Sequence, residues 1–351
     1  MQPPEVVFIA LPFLAAFIVS MIFAPGLIAA LKRRKVEQTI SEDGPESHQS
    51  KSGTPTMGGL IILAGILGGS LAITWALQDF EGGLLTKRSD LLAVLLLIIA
   101  YSVLGMVDDY LTIHPVRGAR GISSKPKAAI QILLALAFVI WLADHRPQGF
   151  LPTLFLAGTP LFDGVLYWIF AVVFIVGMAN FVNITDGLDG LASGLVAIAC
   201  MAFVLCTLLV DTPGGIEADF ALYALPPAVA GACVAFLWFN AGPARVFMGD
   251  TGALALGVAL PAVAILTHRE ILLIVIALVF IMDGLSTVLQ WAVFKYTRIT
   301  TGAGRRVFKK SPIHHHFELI GWPEQKVVVR FWILGILAAV FAFVGTTWDL
   351  W

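Results

Sequence analysis

The sequence predicts an all-α polytopic membrane protein with about ten transmembrane helices and a functional site on its cytoplasmic loops. The composition is 58% hydrophobic and only 13% charged, whereas soluble domains carry about 25% charged residues. Apolar runs long enough to cross a bilayer recur from one end of the chain to the other. The Lys and Arg residues gather in every second connection between those runs.

Ten apolar runs are the predicted spans, because each is near the length that a helix needs to cross about 30 Å of hydrocarbon. They are Val6–Leu31, Met57–Leu77, Asp90–Val107, Ala128–Ala143, Gly164–Phe181, Leu188–Val210, Phe220–Phe239, Thr251–Thr267, Ile271–Phe294 and Val327–Thr347. Gly257 and Pro261 interrupt the eighth run and predict a kink or a tilt there. The whole chain, 1–351, is predicted to form one integral membrane domain.

The positive charges predict how the chain is oriented in the membrane. Of the 22 Lys and Arg residues, 17 fall in the odd-numbered connections and four in the even-numbered ones. Because cytoplasmic loops carry the excess of Lys and Arg, the odd-numbered connections are predicted to be cytoplasmic and both termini to be periplasmic. The net charge of −1 gives no sign of a nucleic-acid partner.

Two adjacent carboxylates, Asp108 and Asp109, follow the third predicted span. Adjacent carboxylates repel each other unless a cation lies between them, and acids at a helix C-terminus oppose the helix dipole. Ordinary capping of a solvated helix end therefore explains the pair poorly. The pair indicates a divalent-metal site or a general base.

Asn183, Asp186 and Asp189 lie at three-residue spacing in the connection after the fifth span, with glycines between them. Acidic groups this close to hydrocarbon are rare unless they are functional. Hard oxygen ligands suit Mg²⁺, which keeps several waters and shares its other positions with phosphate. The alternative is a Gly-rich turn with capping side chains.

The segment from Asn240 to Gly252 contains Phe247, Gly249 and Asp250 and leads into the eighth span. Its glycines and the helix start that follows can offer backbone N–H groups to a phosphate. Gly-rich turns are common, and Asp250 alone is compatible with an ordinary N-cap. Two acidic sites on the same membrane face favour the functional interpretation.

Three consecutive histidines, His314, His315 and His316, lie in the last cytoplasmic connection after Lys309 and Lys310. Consecutive histidines cannot all point at one ion from a regular helix or strand, which argues against a zinc site. They are predicted to contact phosphate or sugar oxygens, and a solvated loop is the alternative.

Two smaller features are Lys51, before the second span, and Asp283, inside the ninth. Lys51 and the hydroxyls that follow it are predicted to hold an anion. An unpaired carboxylate within a span is expensive, so Asp283 is predicted to face a partner or a polar cavity, in a structural or a catalytic role. Acids for a divalent cation and bases for phosphate at a membrane surface fit phosphoryl transfer at the lipid–water boundary.

Four motifs in this order resemble those of the phospho-N-acetylmuramoyl-pentapeptide transferases. They are Asp-Asp-Tyr at 108–110, Asn-Ile-Thr-Asp-Gly-Leu-Asp-Gly-Leu at 183–191, Phe-Met-Gly-Asp-Thr-Gly at 247–252 and Pro-Ile-His-His-His-Phe-Glu at 312–318. The acidic motifs are shared with the wider polyprenyl-phosphate N-acetylhexosamine-1-phosphate transferases. The histidine motif and the Gly-Thr-Pro-Thr-Met-Gly-Gly stretch at 53–59 single out the muramoyl-pentapeptide branch, and the likeness covers essentially the whole chain.

The resemblance implies an Mg²⁺-dependent reaction at the cytoplasmic face of the bacterial inner membrane. UDP-N-acetylmuramoyl-pentapeptide and undecaprenyl phosphate, held in the lipid bilayer, would give lipid I and UMP in the first membrane step of peptidoglycan synthesis. The resemblance also implies a homodimer.

The resemblance further implies a role for each site residue. Asp250 would ligate Mg²⁺, and Asp108 and Asp109 would act on the lipid phosphate or assist the metal. Asn183, Asp186 and Asp189 would shape the catalytic pocket, and Phe247 would stack on uracil. The residues implied near the nucleoside, in the substrate cleft or in substrate binding are Asn240, Gly249, Gln290, His314, His315, His316, Lys51, Lys125 and Lys127.

Two positions depart from the family pattern. The connection before His314 is longer, with residues 300–305 added, which leaves open how the peptide part of the substrate is contacted. Asp283 stands where the family pattern leads us to expect a Glu.

Several alternatives stay open at the level of sequence. The lipid phosphate would attack the nucleotide-sugar directly, with Asp108 or Asp109 as base, or a covalent phosphoryl-enzyme would form first. The donor would be UDP-N-acetylglucosamine in a second interpretation, against which the histidine motif argues. An ion-coupled transporter would place its acids near the bilayer midplane, whereas nearly all of these acids lie at cytoplasmic ends.

Overall fold

Twelve helices and one β-hairpin make up the part of the chain that the computed structural model describes, which is residues 5–36, 53–76, 84–115, 121–145, 151–208, 220–348 and 350. The helices are α1 (Glu5–Arg33), α2 (Gly59–Ala76), α3 (Leu84–Ile113), α4 (Ser124–Asp144), α5 (Gly164–Thr185), α6 (Leu191–Leu208), α7 (Phe220–Asn240), α8 (Gly249–Leu266), α9 (Glu270–Ile276), α10 (Leu278–Thr301), α11 (Ile313–Leu319) and α12 (Glu324–Thr346). Strands β1 (Thr153–Leu156) and β2 (Thr159–Asp163) lie between α4 and α5.

Nine of the predicted spans each fall on one helix and the ninth falls on two successive helices, which confirms the all-α polytopic class. Among the described residues, eight helices are long and apolar enough to cross a membrane. The other two are α6 and α7, which are apolar over the shorter stretches Leu191–Thr207 and Ala224–Asn240. The number of crossings, ten, and the periplasmic termini stay predictions.

The centre of the bundle is α8, which is buried at every residue from Thr251 to Leu266. It packs most extensively against α3 and α5 and also touches α2 and α7. The helix continues without a break through Gly257 and Pro261. Glycine and proline are tolerated inside membrane helices because neighbouring helices satisfy the backbone groups that these residues leave without hydrogen bonds. The backbone of Ala179 lies where a side chain at residue 257 would be.

The ninth predicted span is interrupted. One continuous run, Ile271–Phe294, was expected, but α9 ends at Ile276 and α10 begins at Leu278. Neither proline nor glycine lies at the break, so the apolar pattern carried no sign of it. The second piece, α10, extends past the predicted end to Thr301, where Gly302 in the left-handed conformation (φ 76°) terminates it.

The hairpin between α4 and α5 was not predicted. Its strands pair antiparallel, with Leu154 opposite Phe162. Ala157 and Gly158 both have positive φ in the turn, as a tight two-residue hairpin connection requires. The Ala157 N–H donates to the carbonyl of Leu350 at 3.0 Å, which ties the hairpin to the end of the chain.

Candidate active site

The centre of the candidate site is a lysine between two carboxylates. Asp108, near the end of α3, accepts a hydrogen bond from the backbone N–H of Ile122 at 2.7 Å. The Lys127 ammonium, on the first turn of α4, lies 3.3 Å from the second oxygen of Asp108 and also pairs closely with Asp250. Asn183, near the end of α5, donates from Nδ2 to the other Asp250 oxygen at 2.8 Å. Residues from four helices therefore meet at one point.

Asp109, the next residue of α3, caps α8. Its two oxygens accept the backbone N–H groups of Asp250 and Thr251, both at 3.0 Å, and the Thr251 hydroxyl at 2.6 Å. The first N–H groups of a helix lack partners within the helix, and a carboxylate there also interacts favourably with the helix dipole. This contact fixes where Asp250 stands relative to Asp108.

A second support for Asp250 comes from the loop before α2. The Phe247 N–H donates to the Pro55 carbonyl at 2.8 Å, and the Gly58 N–H donates back to the Phe247 carbonyl at 2.8 Å. Gly249 has φ 69°, and a side chain on it would collide with Asp109 and Thr56. Only glycine both adopts this positive φ readily and has no side chain to collide with these two residues.

The acidic loop, which we define as Asp186–Asp189, joins α5 to α6. Asp189 is buried and accepts the Ala244 N–H at 3.0 Å, while its own N–H donates to Glu324 at 2.9 Å. Asp186 is partly buried. Burial raises the pKa of Asp186 well above its ordinary value, and the neighbouring charges of Asp250, Asp109 and Asp189 add to the shift.

Asn240, at the end of α7, is buried and hydrogen-bonded to backbone groups around it. Its side-chain oxygen accepts the Gly190 N–H, and its Nδ2 donates to the Val246 carbonyl, both at 3.0 Å. These bonds join Gly190, the residue after the acidic loop, to the segment that carries Phe247. Phe247 itself is half-buried. Beside this junction lies a cleft of about 680 Å³, lined by Asp189, the 241–244 segment and the first turns of α12.

The three histidines lie on α11 and point at three different partners. His314 is fully buried, with Nδ1 2.7 Å from Asp283. His315 has Nδ1 2.6 Å from Glu318, and burial lowers the pKa of His315, against the opposing effect of Glu318. His316 accepts the Lys309 N–H at 3.1 Å.

The remaining predicted residues lie farther from this centre or outside the described residues. Gln290 accepts the N–H groups of Val307 and Phe308 at 2.9 and 3.0 Å, and so holds the loop before α11. Lys125 is exposed. Lys51 lies outside the described residues.

The donor groups are compatible with a Mg²⁺ ion held by two protein carboxylates. Within the described parts of the chain, no three His, Cys, Asp or Glu side chains converge as a ready-made metal cluster. Asp108 and Asp250 face a common cation, Lys127, whereas both oxygens of Asp109 are engaged by α8. Mg²⁺ commonly uses one or two carboxylates and completes its shell with water and substrate phosphate.

Two residues of the site were missed from the sequence. Thr251 donates to Asp109, and its position directly after Asp250 was the available signal. Glu324 binds the backbone of Asp189 from the first turn of α12. An acid just after Pro323 at a helix start is a recognisable pattern, but it does not say which loop the acid will bind.

Comparison with known proteins shows the family of the chain. The family model described as glycosyl transferase family 4 matches residues 91–268, and the first signature of phospho-N-acetylmuramoyl-pentapeptide-transferase matches residues 51–63. A phospho-N-acetylmuramoyl-pentapeptide-transferase of Bacillus subtilis strain 168 is 42% identical over 337 residues, which is 95% of this chain and 97% of that protein. The chain belongs to the phospho-N-acetylmuramoyl-pentapeptide transferase family.

Further members of this transferase family match the chain as fully. The protein of that name from Bacillus pumilus is 44% identical over 95% of this chain and 96% of its own length. The one from Geobacillus kaustophilus is 42% identical over the whole length of both chains. With its apolar helices, the chain is therefore a multi-pass membrane protein of this transferase family.

Proposed function

We propose that this chain transfers phospho-N-acetylmuramoyl-pentapeptide from its UDP-activated form to undecaprenyl phosphate, giving lipid I and UMP. Membership of the transferase family supports the reaction, and the placement of Lys127 between Asp108 and Asp250 is the structural observation that carries it. Both substrates are phosphates, and phosphoryl transfer depends mainly on positioning and charge neutralisation.

In the direct route, an oxygen of the lipid phosphate forms a bond to the β-phosphorus of the nucleotide-sugar. The bond between that phosphorus and the oxygen of UMP breaks, and UMP leaves with the electron pair. Asp108 is the better candidate for holding the proton of the lipid phosphate, since three hydrogen bonds engage the Asp109 oxygens. Asp109 then serves to position Asp250.

Lys127 and the metal would share the neutralisation of charge. In this route Asp250 is the side chain that would hold Mg²⁺, and the ion would neutralise the pyrophosphate. The Lys127 ammonium already lies between the Asp108 and Asp250 carboxylates, so it is placed to donate a hydrogen bond to a phosphate oxygen. Asn183 keeps the Asp250 carboxylate oriented through its 2.8 Å hydrogen bond.

The site is proposed to face the cytoplasm from the inner membrane, in a protein that works as a homodimer. The excess of Lys and Arg in the connections that carry the site supports the orientation. The homodimer rests on the family resemblance alone.

The experiment that tests the function is UMP release by the purified protein in detergent. Release should require UDP-N-acetylmuramoyl-pentapeptide, undecaprenyl phosphate and Mg²⁺ together, and UDP-N-acetylglucosamine should not replace the donor. Asp250→Asn should reduce release by about a hundredfold or more, equivalent to about 2.7 kcal/mol of transition-state stabilisation.

Two outcomes would contradict parts of the proposal. Release that persists in Asp250→Asn would keep the reaction and remove Asp250 as an essential metal ligand. No release from well-folded wild-type protein, with release from the other donor sugar, would overturn the proposed substrate.

A further inference from the structure

Asp283 and His314 form a buried pair that the proposed reaction does not use. Both residues are fully buried, Asp283 on α10 and His314 on α11. The ring Nδ1 of His314 lies 2.7 Å from one Asp283 oxygen, and the His314 backbone N–H donates to the other oxygen at 3.3 Å. The carboxylate therefore engages the same residue twice.

The pair is part of a row of polar side chains on one face of α10. Ser286 accepts the Ile313 N–H at 2.9 Å, and Gln290 holds the backbone of Val307 and Phe308. Residues 283, 286 and 290 are three and four apart and so lie on one side of the helix. All three anchor the segment before and within α11, but only Asp283 also engages a side chain.

The other ring nitrogen of His314 points at the acidic loop. Nε2 is buried and has no hydrogen-bond partner among the residues that the structure describes. It is also the nearest atom to the position that a Cβ on Gly187 would occupy, at 2.4 Å. The tip of the imidazole thus rests directly on the backbone between Asp186 and Asp189.

A neutral imidazole carries its proton on one nitrogen, and the hydrogen bond made by the other decides which. A carboxylate only accepts hydrogen bonds, so Asp283 places the proton on Nδ1 and leaves a lone pair on Nε2. A lone pair tolerates the close approach of Gly187, whereas an N–H at Nε2 would be a buried donor without an acceptor, which is costly.

We propose that Asp283 is a positioning residue that holds His314 in the Nδ1–H tautomer, so that the ring supports the acidic loop at Gly187 and sets Asp186 and Asp189 relative to Asp250. This role rests on the proposed transferase function for its effect on turnover. The tautomer itself is independent of that function.

The decisive variant is Asp283→Asn. The amide keeps the size and the ability to cap α11, but its N–H₂ donates to Nδ1 and moves the ring proton to Nε2, as amide replacement does beside other catalytic imidazoles. We expect kcat for UMP release to fall about tenfold or more while KM for the nucleotide-sugar changes by less than about twofold. Asp283→Glu, which restores the carboxylate, should recover most of the lost turnover.

The spectroscopic readout is nitrogen NMR of protein labelled at histidine, with the His314 signals assigned by their loss in His314→Gln. Wild type and Asp283→Glu should show the Nδ1–H pattern, and Asp283→Asn the Nε2–H pattern. Ser286→Ala is the matched control: it loosens the same anchor without touching the ring, so it should lower the Tm and leave the His314 signals in the wild-type pattern.

Three results would overturn the proposal: an unchanged His314 tautomer in Asp283→Asn, wild-type turnover in a variant whose tautomer has switched, or equal losses of kcat in the Asn and Glu variants. If wild-type protein released no UMP, the transferase function would fail, and the NMR comparison would still test the tautomer.

Discussion

At the scale of single residues, the carboxyl group of Asp186 lowers the stability of the folded protein when it is charged. Its carboxyl is surrounded by three other acids and has a raised pKa because of burial and their charges. A group whose pKa is higher in the folded state favours folding while it is protonated, and this contribution is lost as the pH rises through the folded-state pKa. Above its folded-state pKa, the Asp186 carboxylate therefore carries a charge that burial and the neighbouring acids disfavour.

We expect Asp186→Asn to raise the Tm, and to raise it more at pH 8 than at pH 5, because the amide carries no charge at either pH. The same variant should lose about tenfold or more in turnover, as removal of a functional charge does. Thermal unfolding at the two pH values and UMP release would measure both effects. Asp144→Asn, at a carboxylate whose side chain is 81% exposed, should show no such pH-dependent gain, and an equal gain there would refute the explanation.

The residue types of the site were predictable from the sequence, but the contacts that each residue makes were not. Asp108 and Asp109 are neighbours in the sequence, yet one faces Lys127 and the other caps α8. Which way each points depends on how α3 packs against α8, a contact between residues more than 140 positions apart. Asn240 likewise serves backbone groups that become its neighbours only after folding.

At the scale of helices, the crossing of α3 and α8 holds the site at a fixed separation. A side chain on Gly105 would lie 2.1 Å from the Asp250 carbonyl oxygen. That oxygen belongs to the backbone at the head of α8, so it cannot move aside as a flexible side chain would. Gly105 therefore sets how closely Asp108 approaches Asp250.

Gly105→Ala is expected to push the two helices apart, with a cost of about 1–3 kcal/mol for overpacking and a clear loss of UMP release. Gly177→Ala on α5 is the matched control, since no atom lies within 4 Å of its added methyl group. Turnover and Tm of both variants give the comparison. Wild-type turnover and Tm in Gly105→Ala would show that the two helices can accommodate the methyl group without moving apart.

The helices were predictable because each apolar run is long and each carries its own signal. The break between α9 and α10 and the short hairpin were not predictable from those runs. The break follows from packing of α9 against α12 and of α10 against α5, and the hairpin has only four- and five-residue strands, for which the sequence pattern is weak.

At the scale of the whole molecule, the orientation in the membrane can be tested with single cysteines. The three native cysteines are buried and unpaired, so the wild-type protein should not react with a membrane-impermeant maleimide. Thr159→Cys on the hairpin and Arg306→Cys before α11 both place a thiol at an exposed position. In intact spheroplasts we expect labelling of Thr159→Cys alone, with Arg306→Cys labelled after permeabilisation. The reverse pattern would invert the orientation.

The position of α8 also has a consequence for how the molecule is made. Seven of the described apolar helices leave the ribosome before it, yet α8 is the one that fills the middle of the bundle. The earlier helices that contact α8, which are α2, α3, α5, α6 and α7, must therefore enter the bilayer without this partner and pack around it afterwards. Pro55 and Gly58 likewise form their hydrogen bonds only after Phe247, almost 200 residues later, has been synthesised. A nascent chain that ends before Gly249 therefore lacks both the central helix of the bundle and Asp250 of the candidate site, although seven of the described helices precede that point.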